Sequence, residues 1–166
     1  AMKTLLLGML FISAVSILFL GGWIGHEKMK DRVNTKVKFR EPFRPFAPSI
    51  LVQNTEDYFD LKDSQNCLPA RFMQLVVPVH EDKQDLIPAV SHLGTARLQT
   101  VHQESNPRYY NLINRFGDAT GVPLLLNTSF NLRGEPVVNT PQNAISTFAN
   151  SGIDTLIMGD FLIDKP

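Results

Sequence analysis

The chain of 166 residues has no excess of either charge, since sixteen Lys and Arg stand against sixteen Asp and Glu. Without a net field to draw in a polyanion, nucleic acid is not an expected partner, and any anion recognition has to be built locally. Cysteine is almost missing. Cys67 stands alone, which rules out an intrachain disulfide and a cysteine-built zinc site and suits a reducing compartment. The four histidines, His26, His80, His92 and His102, have none of the short spacings of a metal centre. Only His80, His92 and His102 could converge through folding, and no metal ligand is assigned. There is no internal repeat, and the length suits one domain with a core of useful size.

One long stretch lacks charge altogether. Thr4 to Gly25 is mostly Leu, Ile, Phe, Val, Met and Gly, about the length a helix needs to cross a bilayer. An apolar N-terminal helix over residues 1–25 is expected, acting as a transmembrane anchor. A signal peptide, a buried core helix and a non-native start are the alternatives, the last because Ala1 precedes Met2. Lys3 stands alone before the stretch, whereas Lys28, Lys30, Arg32, Lys36 and Lys38 follow it. That asymmetry places residues 26–166 in the cytoplasm, held at the inner membrane by a single helix.

Charge is concentrated instead in Lys36 to Ser49, K-V-K-F-R-E-P-F-R-P-F-A-P-S. Lys36, Lys38, Arg40 and Arg44 are interleaved with three phenylalanines and three prolines. Proline fixes its own φ and pushes the preceding residue out of the helical region, so Glu41, Arg44 and Ala47 are expected to be extended. Burial of Phe39, Phe43 and Phe46 would pin the backbone and leave Lys38 and Arg44 as preorganised donors for an anion. A basic surface loop with aromatic anchors is the plainer alternative.

Strands and helices alternate over the rest of the chain, as in an α/β or α+β domain of mixed topology. A polar helix is expected over His26–Asn34 and a strand over 49–52. A helical turn follows from Thr55 as N-cap, then a strand over 73–80 with Pro78 at an edge. A strand over 96–102 would set Arg97, Gln99 and Val101 on one face, with Arg97 at a sheet rim. Asn106-Pro107 caps a helix that runs to Thr120 and stops at Gly121, with Tyr109, Leu112, Ile113 and Phe116 on its apolar face. Val122 to Leu126 reads as a buried strand. It empties into N-T-S-F-N-L-R-G-E-P, whose hydroxyls, amides and glycine sit where open α/β sheets bind ligands; an Asx-turn network that only caps itself is the alternative. A short strand over 136–139, a helix from Thr140-Pro141 that buries Ala144, Ile145 and Phe148, and two apolar strands hinged at Gly159-Asp160 complete the pattern.

K-V-K-F-R-E-P-F-R-P-F-A-P-S, G-T-A-R-L-Q-T-V, N-P-R-Y-Y, L-L-N-T-S-F-N-L-R-G-E-P-V-V and S-G-I-D-T-L-I-M-G-D-F-L-I-D-K together resemble the C-terminal region of the NodU/CmcH-type O-carbamoyltransferases, from about Met29 to Lys165. The resemblance implies a YrdC-like fold, an open twisted mixed sheet with flanking helices and a positively charged cavity. It implies carbamoyl phosphate and ATP as ligands, a magnesium-dependent step giving carbamoyl adenylate, and transfer to a hydroxyl by an iron-binding N-terminal domain. Lys38 and Arg44 resemble the family's phosphate-contacting cations, Arg97 its sheet-rim arginine, and Ser129 its loop hydroxyl. His92, Thr95, Asn127 and Asn131 are weaker candidates for nucleotide or carbamoyl amide contacts.

The sequence also departs from that family. The motif E-F-G-P-R-A-L-G, whose arginine belongs to the family's cavity, is replaced here by the apolar stretch. The metal-binding domain does not appear. The expectation is therefore the carbamoyl phosphate and ATP binding half of a carbamoyltransferase, working with a separate metal-binding transfer domain or subunit. A truncated or misjoined product would account for the same departures. A catalytically incomplete, membrane-tethered binding or scaffold module is the alternative. A basic concave surface for nucleic acid is disfavoured by the charge balance.

Overall fold

The computed structural model describes Thr4–Gly8, Ser16–Phe19 and residues 26–165. The chain forms two compact units, one of residues 1–44 with 127–166 and one of residues 45–126. Helices and small sheets are mixed, as the alternating pattern predicts, but the strands form three small sheets in place of one open sheet.

In the first unit, β1 (Thr4–Gly8) pairs antiparallel with β2 (Ser16–Phe19) and parallel with β8 (Thr155–Met158). β9 (Phe161–Asp164) closes the order β2-β1-β8-β9. The hinge expected at Gly159 is there: with φ at 61° it turns β8 back as β9, in a register from Thr155 opposite Asp164 to Met158 opposite Phe161. The strands correct the expectation of an apolar N-terminal helix. High hydropathy marks residues that avoid water but does not choose between a helix and a strand. Residues 9–15 and 20–25 of that stretch lie outside the described residues. Among the described residues no helix is long and apolar enough to cross a membrane.

Helix α1 (His26–Arg32) runs on as a π-helical segment, Val33–Val37. It is tied to the chain before β8 by Arg32, whose Nη2 donates to both Asp154 carboxylate oxygens at 2.9 and 2.8 Å, and by the Gly152 N–H, which donates to the Lys36 carbonyl at 2.7 Å. Helix α6 (Pro141–Ala149) starts as expected, with the Thr140 hydroxyl accepting from the Asn143 N–H and proline in the first turn. Its buried face is Ala144, Thr147 and Phe148, and Ile145 is exposed, because the 3.6-residue period puts 144, 147 and 148 together and turns 145 away. Residues 136–139 are not a strand.

In the second unit, β3 (Ala47–Leu51) lies between β6 (Gln99–Val101), its parallel neighbour, and β7 (Leu124–Asn127), buried along its whole length as the apolar run implies. β4 (Val76–Pro78) pairs antiparallel with β5 (Thr95–Arg97), with Pro78 at the end of the ladder. The single strand expected over 96–102 is thus two, divided at the fully buried Leu98 and shared between two sheets, so the expected common face of Arg97, Gln99 and Val101 does not form. Helices α2 (Thr55–Tyr58), α3 (Leu68–Arg71) and α4 (Glu81–Gln84) are single turns. Thr55 does not cap α2: it is buried, and its hydroxyl donates back to the Leu51 carbonyl. Helix α5 (Pro107–Thr120) has the expected ends. The Asn106 side chain accepts from the Tyr109 N–H, and Gly121 stops the helix at φ 78°. Tyr109 and Ile113 are its buried residues, while Leu112 and Phe116 are half-buried.

Candidate functional site

The basic stretch begins in the π-helical segment, where the Lys38 N–H reaches five residues back to the Val33 carbonyl at 2.8 Å. Phe39 then takes a left-handed conformation, φ 48°, and the Arg40 N–H returns to the Asn34 carbonyl at 2.9 Å. Lys36 and Val37 are therefore helical, and the extended character expected of the stretch begins later. Prolines at 42 and 45 remove donors from the turn that follows. Asn34 supplies what is missing: fully buried, it donates through Nδ2 to the Pro42 and Arg44 carbonyls, both at 2.9 Å, and accepts from Arg40 Nε at 2.7 Å. Of the three phenylalanines expected to anchor the stretch, Phe46 alone is buried, whereas Phe39 and Phe43 are exposed. The turn is held by one amide in place of an aromatic cluster.

That turn drives Lys38 inward, to 4% exposure, against the loop that follows β7. Its ammonium faces the Ser129 carbonyl at 2.7 Å, the Asn131 carbonyl at 2.9 Å, Asn131 Oδ1 at 2.6 Å and Ser129 Oγ at 3.3 Å. No carboxylate is among these partners. Burial, and secondarily the charge of Arg40, hold the amine down to about 8 from its ordinary 10.5. The folded state therefore binds fewer protons than the unfolded chain between pH 8 and 10.5, and stability rises with pH across that window. Urea melts at pH 8 and 10 should show a steeper gain for the wild-type chain than for Lys38→Met, by up to about 1.4 kcal/mol per pH unit. Equal slopes would mean that Lys38 titrates as an exposed amine.

Beside this clamp two guanidiniums share one carboxylate. Arg44 Nε contacts Glu41 Oε2 at 2.9 Å, and Arg133 Nη2 stands 3.9 Å from Glu41 Oε1. The Glu41 backbone amide, then Arg44 and Arg133, hold its carboxyl below the usual range. Arg40 is lowered by burial and by Arg44, with Glu41 opposing. Arg44 and Arg133 remain more than half exposed, and a guanidinium has five N–H donors, so both keep donors directed to water. Loop hydroxyls and amides with surplus positive charge suit an anionic ligand that also carries polar groups.

Of the residues singled out by sequence, Lys38, Arg44, Ser129 and Asn131 lie in the first unit, as does Asn127, buried at the end of β7. Arg97, His92 and Thr95 belong to the second. There His92 and Thr95 bracket a tight turn through Leu93 and Gly94, exchanging backbone hydrogen bonds at 2.7 and 3.0 Å, and Arg97 is exposed at the end of β5. His80 Nε2 meets the Glu56 carbonyl, and His102 Nδ1 meets Arg71 and Glu104. Among the described residues no three His, Cys, Asp or Glu side chains gather. Sequence reasoning missed Asn34, Glu41 and Arg133. For Glu41 and Arg133 the signal was charge at either edge of the two polar loops; for Asn34 there was none.

The family described as "Carbamoyltransferase C-terminus" matches residues 16–165. Among curated relatives, nodulation protein NolNO of Sinorhizobium fredii is 50% identical over 137 residues, 82% of this chain and 20% of the relative. Nodulation protein NolO of Bradyrhizobium diazoefficiens is 47% identical over 137 residues, 82% of this chain and 25% of the relative. The 3'-hydroxymethylcephem-O-carbamoyltransferase of Amycolatopsis lactamdurans is 33% identical over 134 residues, 79% of this chain and 24% of that enzyme. This chain spans a fifth to a quarter of the length of these relatives. By that match, which takes in the clamped loop and the basic turn alike, the chain belongs to the carbamoyltransferase C-terminal family.

Proposed function

We propose that this chain is the part of an O-carbamoyltransferase that binds carbamoyl phosphate and ATP and forms carbamoyl adenylate, for transfer to a hydroxyl acceptor by a separate metal-binding domain or subunit. The observation that carries this reading is the buried Lys38 clamping Ser129 and Asn131 beside the guanidiniums of Arg44 and Arg133. A relative named for carbamoyl transfer supports it. A YrdC-like fold is part of the proposal; the mixture of strands and helices supports its α/β character.

In this reading Arg44 meets phosphate oxygens, Ser129 the carbamoyl end and Asn127 the nucleotide, all within the first unit, while phosphate and nucleotide roles for Arg97, His92 and Thr95 of the second unit rest on the family resemblance alone. No protein nucleophile is required. Carbamoyl phosphate first gives up its phosphate to water, and the carbamate so formed, held against the α-phosphate of ATP, attacks it while pyrophosphate leaves, by positioning and charge stabilisation. Magnesium suits such a site as an ion carried by the nucleotide phosphates and water, and the chain's own contribution to charge is Lys and Arg.

Isothermal titration of carbamoyl phosphate into the full chain, with and without magnesium ATP, tests the proposal. Saturable binding is expected, and Arg44→Ala should weaken it ten- to about a hundredfold, the loss of a hydrogen bond to a charged group worth roughly 1.5–3 kcal/mol. The fold should survive, because an exposed ion pair contributes only about 0–1 kcal/mol. Unchanged affinity in Arg44→Ala, or no binding to wild type, would sink the assignment. Binding without pyrophosphate release would instead identify a binding module without chemistry.

A further inference from the structure

We propose that Lys38 is a positioning residue that fixes the hydrogen-bond polarity of Ser129, so that this hydroxyl can only accept and therefore reads the amino group of a carbamoyl ligand. The inference rests on the proposed function and adds to it the means of telling one acyl phosphate from another.

An ammonium donates and never accepts. Four oxygens surround that of Lys38, and Asn131 Oδ1 is the nearest at 2.6 Å. The Asn131 amide is held in that orientation from its other end, where Nδ2 donates to the Glu135 carbonyl at 2.8 Å. Ser129 Oγ lies 2.7 Å from the same Oδ1 and 3.3 Å from Lys38 Nζ. Of those two neighbours only Oδ1 can take a proton, so the hydroxyl hydrogen of Ser129 is committed to Asn131. What Ser129 offers a visitor is a lone pair. A phosphate oxygen also brings lone pairs and is not served there, whereas the carbamoyl amino group brings N–H donors. Lys38 serves one lone pair of this half-buried oxygen at 3.3 Å, and a ligand N–H serves the second, a hydrogen bond that a ligand without the amino group forgoes. Acetyl phosphate carries a methyl group in place of the amino group and gives Ser129 nothing to accept.

The wild-type chain should bind carbamoyl phosphate at least about tenfold more tightly than acetyl phosphate by isothermal titration. Lys38→Met should bring the ratio to within about twofold, mainly by weakening carbamoyl phosphate, since the Ser129 hydroxyl is then free to turn. Ser129→Ala, which leaves the backbone contacts of Lys38 in place, should do the same even if Lys38→Met fails to fold. In the double variant the two losses should not add. Equal weakening of both ligands in Lys38→Met would show that Lys38 touches the phosphate, and a ratio that survives Ser129→Ala would show that something else reads the amino group; either result overturns the proposal. Hydrogen exchange without ligand separates the layers of the inference. Lys38→Met should speed exchange of the amides of residues 128–138 about tenfold or more. That loosening, seen in a chain whose wild type binds neither acyl phosphate, would overturn the proposed function and the reader role while leaving the clamp.

Discussion

Phe130→Ala is expected to destabilise the chain by about 3–5 kcal/mol and to abolish ligand binding by the fraction that stays folded. Phe130 is 1% exposed and sits between Ser129 and Asn131, so the two residues that face Lys38 flank a side chain anchored in the core. Its carbonyl also accepts the Val138 N–H at 2.9 Å, closing the loop on itself. Removing the ring leaves a cavity under the loop and frees it to move. Phe130→Leu, which keeps most of the volume, should lose far less stability and retain binding. Urea denaturation together with carbamoyl phosphate titration checks both parts, and a stable Phe130→Ala chain with normal affinity would show that the clamp holds the loop without its anchor.

Gly152→Ala should be the next most damaging change. An added Cβ would stand 2.7 Å from the Lys36 carbonyl oxygen and 2.9 Å from Lys36 Cβ. The carbonyl has no room to give way, since it is the acceptor of the Gly152 N–H. Overpacking of this kind costs about 1–3 kcal/mol, and losing the hydrogen bond adds about 1 kcal/mol. The site should suffer as well, because the displaced Lys36 lies two residues before Lys38. Thermal melts and hydrogen exchange over residues 33–40 would measure the effect; a melting temperature within a degree of wild type would mean the π-helical segment moves aside freely.

Where structure is decided locally, it could be read from the sequence. The ends of α5 follow from cap chemistry at Asn106 and Gly121, and the β8–β9 hairpin from a glycine between two apolar runs. The break at Leu98 could not be read, because both halves of 96–102 are good strand and only the surrounding chain decides which sheet each half joins. The N-terminal stretch shows the same limit, since hydropathy marks aversion to water and leaves secondary structure open. In the candidate site, charge pattern singled out Lys38 and Arg44, and a polar run after a buried strand singled out the loop around Ser129. Neither signal showed that Lys38 points inward, which depends on Asn34 reaching eight and ten residues along the chain to two carbonyls. Nothing in the neighbourhood of an asparagine on a short polar helix announces those partners.

The π-helical turn has a consequence for insertions and deletions. Such a turn is an α-helix carrying one extra residue, so removing any one of residues 33–37 would restore regular helical spacing and raise local propensity. It would also rotate everything beyond it by about 100° about the helix axis, taking Lys38 away from Ser129 and leaving the Lys36 carbonyl without Gly152. Sequences that keep the clamp must therefore keep the helix at this length, and a change that looks like an improvement to the helix alone would disconnect it from the loop it holds.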